Sequence, residues 1–183
     1  FKGYFRLTQD NDESLALFVR KNIKVLAEGD TFVYRWKNAM VGSDSTTYGR
    51  NLQYVQLEYS GGNFFIAHIH GIWHPHKEDT PGRIEQSNNI VKFMNQHQGS
   101  KILCGDFNLL PTTESIAIIE RSDMRNLIKE YNITSTRSPL YRHYTTAPLF
   151  AGYMFVSPEI KVHKFQVLPD VVSDHLPMML EFE

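Results

Sequence analysis

With 183 residues, 42% of them hydrophobic and 21% charged, the chain has the length and composition of one soluble globular domain with a sizeable core. A net charge of −1 excludes a global basic field, so contact with nucleic acid would need a local surface. No apolar run approaches the roughly 20 residues that span a bilayer, and a lone cysteine, Cys104, excludes an intrachain disulfide and fits a reducing, cytoplasmic setting.

The chain opens with aromatic residues (Phe1, Tyr4, Phe5) and reaches a polar turn at Gln9, Asp10, Asn11 and Asp12. Residues 14–20 predict a buried strand and residues 31–36, rich in β-branched and aromatic side chains, another. The polar stretch 41–49 predicts a loop. Residues 51–59 and 63–70 flank Ser60, Gly61 and Gly62, which is hairpin chemistry. A helix is expected from Thr80 as N-cap and Pro81 at the first helical position, with Ile84, Ile90, Val91 and Met94 on one face, to about His97. Residues 101–104 form a short apolar strand closed by Gly105. Thr112 or Thr113 caps a short helix through Ile119, and residues 124–131 predict another. Residues 132–148 predict mostly loop, and 153–156, 161–168 and 177–182 three short strands. Strands outnumber helices, which gives one α/β (α+β) domain over residues 1–183 with mixed sheets.

Several groups carry chemistry. Asp106 and Asn108 lie one strand period apart just past a strand end, where open α/β sheets collect functional side chains, although Gly-Asp-X-Asn is equally the composition of a turn. Asp174 and His175 sit side by side before the last strand, offering a hard-cation ligand and a group titrating near neutrality, or else a surface turn. His68, His70, His74 and His76 form a dense run that suits zinc, with a solvated loop as the alternative for the last two. Arg83 and Gln86 occupy the first turns of the Thr80 helix, either as a solvent stripe or near a site.

In their order along the chain, His70 after a strand, Arg83 and Gln86, Gly105-Asp106-Phe107-Asn108, and Ser173-Asp174-His175 resemble the endonuclease/exonuclease/phosphatase superfamily, the deoxyribonuclease I-like proteins. The resemblance implies a four-layer sandwich of two mixed β-sheets flanked by helices. It implies Mg²⁺- or Mn²⁺-dependent hydrolysis of a phosphoester, nuclease-like on phosphodiesters, by an activated water. It assigns Asp106 to the attacking water, Asn108 to the scissile phosphate or nucleophile and Asp174 to the metal. His175 takes the leaving oxygen or the charge on phosphorus, His70 contacts phosphate, and Arg83 helps bind substrate. Two departures stand out. The family's opening Asn and its Gln-Glu pair, with the Glu as metal ligand, have no counterpart, so the sequence reads as N-terminally truncated. Gly152 stands where the family has an Asp that orients the catalytic histidine, which implies a weakened His175 unless another group takes over. A non-catalytic binding module on the same fold is the competing class.

Overall fold

The computed structural model describes residues 1–10, 14–44 and 47–183. Asn11 and Asp12 of the expected turn, and residues 45–46 of the expected loop, lie outside the described residues. A six-stranded mixed sheet runs in the order β3-β4-β5-β6-β8-β7. Its strands are β3 (Lys24–Tyr34), β4 (Arg50–Tyr59), β5 (Gly62–His70), β6 (Ser100–Asp106), β7 (Arg125–Asn126) and β8 (Gly152–Val156). Neighbours pair antiparallel except β5 and β6, which are parallel and joined through α1 (Pro81–Met94). The β4–β5 hairpin turns on Ser60 and Gly61, whose φ values of 50° and 80° are both positive, as a two-residue type I′ turn requires.

Strand alternation sends Phe65, Ala67 and Ile69 to one face and Phe64, Ile66, His68 and His70 to the other. On the first face Phe65 packs on Phe93 and His97, and α1 lies against α2 (Glu114–Glu120) and β3 over a core that includes Leu103, Ile116, Ile119 and Phe155. On the second face two separate hairpins form the other β-layer. One is β1 (Lys2–Leu7) with β2 (Ser14–Val19), which places Tyr4 and Val19 over Val55, Leu57 and Phe64. The second pairs β9 (Val162–Val167) with β10 (Met178–Phe182) and brings Phe182 edge-on to Phe64, 5.3 Å between centroids. The expected α/β sandwich is present, but of the two mixed sheets expected only the six-stranded one is mixed; the second β-layer is built as two antiparallel hairpins.

Most expected elements are found, with local differences. Thr80 caps α1 by accepting from the Arg83 amide at 3.3 Å. Thr113 makes no side-chain cap. Asp79 does its work from another segment, accepting from the Glu114 and Ser115 amides at 2.7 and 2.9 Å. The helix expected over 124–131 shortens to α3 (Leu127–Glu130), because Arg125 and Asn126 pair with Val156 and Phe155 at the sheet edge. Among the described residues no helix is long and apolar enough to cross a membrane.

Candidate active site

The register of the central strands sets the first half of the site. His68 aligns with Cys104, and His70 with Asp106, across the parallel β5–β6 pair, while Asp106 aligns with Gly152 across β6–β8. Partners in register face the same side of a sheet. His70 and Asp106 therefore emerge together at one sheet end. Gly105 makes this possible: its φ is +131°, and a Cβ there would lie 2.1 Å from the Ile69 carbonyl oxygen.

Beyond Asp106 the backbone is tied at every step. The Gly71 amide donates to Asp106 O at 2.6 Å and the Phe107 amide to Ala151 O at 2.8 Å. Tyr153 Oη donates to Leu109 O at 2.8 Å. The Asn108 amide donates to Asp106 Oδ1 at 2.8 Å, a turn closed by the carboxylate, and Asn108 holds φ at 54°. Asn108 is 1% exposed, and its Nδ2 has no partner among the described residues.

The second half comes from two distant segments that meet. Arg137 and His175 form an antiparallel bridge, extended by the Ser138 amide on Asp174 O at 3.1 Å and the Leu176 amide on Thr136 O at 3.1 Å. Ser138 Oγ donates to Ser173 O, and the His175 amide to Ser173 Oγ at 3.0 Å. Asp174 and His175 are thereby held at the mouth of the sheet. His175 Nε2 stands 3.3 Å from Asp106 Oδ2 and 3.8 Å from Asp174 Oδ2, and His70 Nε2 3.9 Å from Asp106 Oδ2. His70, Trp73, Asp106, Asn108, Arg137, Tyr141, Asp174 and His175 line one open cleft of about 440 Å³.

Arg137 escaped the sequence reading. It lies in the polar stretch 132–148, and nothing in its spacing marks it. Its Nη1 donates to Asp174 Oδ2 at 2.6 Å and makes a short contact with His175 Nε2. Its guanidinium stacks 4.4 Å from the Tyr141 ring centre, with Lys77 Nζ 5.0 Å from the same ring. Donation from Arg137 makes His175 Nε2 an acceptor and leaves the proton of neutral His175 on Nδ1. Protonated His175 would instead present Nε2–H to Asp106. Burial pushes the Asp106 pKa up, but the hydrogen bond and charge of His175, with His70 and Arg137, hold it below the usual 3.8, so Asp106 is a carboxylate at neutral pH. At Gly152 an added Cβ would meet Met178 Cε at 3.3 Å and Thr136 Cβ at 3.7 Å, close to ordinary contact. The contacts that hold the His175 ring come from Arg137 and Asp106.

Arg83 is corrected. It is fully buried and donates to Glu78 O at 2.5 Å, Ile72 O at 3.0 Å and Asn108 O at 3.0 Å. It braces the two loops behind the cleft and does not line it. Burial pulls its pKa down to about 10, leaving it charged at neutral pH. Gln86 is likewise buried and accepts from the Ile72 amide at 3.1 Å. The histidine run does not assemble either. His68 is bonded to Gln53 Oε1 at 2.8 Å under the β1–β2 hairpin, and burial lowers its pKa to about 4, while His74 and His76 lie in the 71–79 loop.

The carboxylate and amide oxygens of Asp106, Asp174 and Asn108 are the hard donors Mg²⁺ or Mn²⁺ prefers. As arranged they do not fit an ion. Asp174 is taken by Arg137, and among the described residues no group of three His, Cys, Asp or Glu side chains is placed to hold one.

No family model matches the sequence, and no curated protein sequence matches it. Solved structures do. A mannosyl-6-phosphatase of Bacteroides thetaiotaomicron superposes with a TM-score of 0.80 at 18% identity, over 100% of this chain and 76% of that one. An endonuclease/exonuclease/phosphatase family protein of the same organism gives 0.79 at 18% identity, over 99% and 72%. The human Nocturnin catalytic domain with bound sulfate gives 0.70 at 17% identity, over 100% and 72%. The fold is thus that of endonuclease/exonuclease/phosphatase proteins.

Proposed function

We propose that the cleft hydrolyses phosphoesters by attack of water on phosphorus. The observation that carries this is convergence: His70, Asp106, Asn108, Asp174 and His175 come from three separate parts of the chain and line a single cleft. Phosphoryl transfer to water needs a base or orienting acceptor for the nucleophile, donors for the phosphate oxygens and a proton for the leaving oxygen. Asp106, ionised and hydrogen-bonded through Oδ1 to the loop, lines the cleft with Oδ2 3.3 Å from His175 Nε2, where it can orient a water entering between them. Asn108 and His70 face the phosphate, and His175 in its protonated form carries the proton for the leaving oxygen. A mannosyl-6-phosphatase and a catalytic domain with bound sulfate are among the proteins of this fold, which supports a phosphoester reading. The nuclease-like reading rests on the sequence resemblance and on the openness of the cleft beside Trp73 and Tyr141, which leaves room for an extended diester. A Mg²⁺ or Mn²⁺ requirement, expected from the sequence, would need the ion to displace Arg137 from Asp174.

The test is hydrolysis of bis-p-nitrophenyl phosphate, p-nitrophenyl phosphate and plasmid DNA, each with Mg²⁺, with Mn²⁺ and with EDTA. Asp106→Asn should lower turnover by about 10²–10⁴-fold with the fold intact. Wild-type protein that turns over none of the three, or an Asp106→Asn variant as fast as wild type, would refute the proposal, and the first result would favour the binding-module class.

A further inference from the structure

Arg137 is 5% exposed, yet less than half of its hydrogen-bonding capacity is used among the described residues. A guanidinium carries five N–H donors. Nη1 serves Asp174 and His175. Nη2 stands 4.0 Å from Asp106 Oδ2, beyond hydrogen-bond range, and buried Nε has no partner among the described residues. Nε and Nη2 form the side-on fork of an arginine, the edge whose parallel N–H pair matches two oxygens of a phosphate. The Nδ2 of Asn108, which lines the same cleft, is a second buried donor without a partner among the described residues. Unmet donors call for an acceptor. A cation would leave both unsatisfied and would compete with the guanidinium for Asp174. Leaving buried donors unmet is costly, so a built site with this surplus is shaped for an anion. Tyr141, whose ring lies under the Arg137 guanidinium with Lys77 also close to it, supports the plane of the fork, and the Ser138–Asp174 bridge fixes its position.

We propose that Arg137 is the cation that holds the phosphoryl group in this cleft, with the Asn108 carboxamide as the second donor, and that this binding needs no divalent ion. Its ligand class is a tetrahedral oxyanion, a phosphate ester or inorganic phosphate. The proposal rests on the phosphoester reading of the same cleft and replaces the metal of the sequence expectation with a side chain. The role is catalytic in the sense that Arg137 touches the group being transferred.

Inorganic phosphate titrated into the protein in EDTA tests it, by calorimetry and by the ¹⁵N–¹H signal of the Arg137 side-chain Nε–H. Wild type should show saturable binding with a shift of that signal, and millimolar Mg²⁺ should change the affinity by less than about twofold. Arg137→Gln should lose about tenfold or more in affinity. Arg137→Lys, which keeps the charge and discards the fork, should lose a similar factor. Arg137→Gln should also take up Mg²⁺ more readily than wild type, because Asp174 is released. Phosphate binding that appears only with Mg²⁺, or a glutamine variant that binds as tightly as wild type, overturns the proposal. If the variants fail to fold, the wild-type titration with and without EDTA decides it alone. Arg137-dependent phosphate binding with no ester turned over would count against the hydrolase and leave this inference standing. Metal-dependent turnover with no phosphate bound in EDTA would do the reverse.

Discussion

Replacing Arg83 with Met separates bracing from substrate binding. The substitution keeps most of the apolar stem volume and removes the donors to Glu78 O, Ile72 O and Asn108 O. A hydrogen bond to a charged group contributes about 1.5–3 kcal/mol, and some of that is offset by the cost of burying the guanidinium. Of the three carbonyls left behind, two belong to the buried residues Ile72 and Asn108. A net loss of about 3–5 kcal/mol follows, a large share of a typical domain's ~5–15 kcal/mol. Urea unfolding at neutral pH, read by tryptophan fluorescence, should show the midpoint fall at constant slope. Because Asn108 loses its carbonyl anchor, turnover and phosphate affinity should fall together in the remaining native protein. A stability change under about 1 kcal/mol, accompanied by a raised KM at unchanged kcat, would mean that Arg83 faces substrate after all.

Other outcomes follow from local geometry. Gly105→Ala should destabilise by at least about 3 kcal/mol in thermal or urea unfolding, because φ is +131° and the new Cβ would collide with backbone. Asp79→Ala should cost about 1–2 kcal/mol by uncapping α2, with Asp79→Asn recovering part of it, measured in the same way. His68 binds fewer protons folded than unfolded between its folded pKa of about 4 and its ordinary 6.5, so stability should rise with pH across that window. His68→Gln should flatten that rise, and an unchanged slope would place the titration elsewhere. Asp106 works in the same direction at lower pH: its depressed pKa stabilises the fold above about 3.8, and that contribution is lost on further acidification.

What the sequence revealed follows the range of the forces involved. Caps, turns and strand alternation are local, so Thr80, the Ser60–Gly61 turn and the β5 strand were legible from neighbouring residues alone. Asp106 and Asn108 were legible as a pair because they lie one strand period apart past an apolar run, and His70 joined them only through the order of motifs along the chain. Arg125 and Asn126 fall inside the stretch 124–131 that reads as a helix, and only pairing with β8 makes them a strand. Asp79 caps a helix 35 residues later, which no local pattern announces. Arg137 is the same case at longer range. Its role exists only because residues 136–138 bridge residues 174–176. Arg83 misled for the opposite reason: a charged side chain on a first helical turn is ordinarily solvated, and here three carbonyls in a buried loop crossing capture it.

The in-register placement of His70 beside Asp106 also limits how this protein can change. The strand that presents His68 and His70 on one side presents Phe65, Ala67 and Ile69 on the other. Inserting or deleting one residue in β5 would exchange the two sets, driving imidazoles into the apolar interior and phenylalanine into the cleft. Reactive groups and core are written in a single alternating code, so neither can drift without the other. Adaptation to new substrates is therefore channelled into the loops that bear Trp73 and Tyr141, which lie off the strands and can vary residue by residue without disturbing the register beneath.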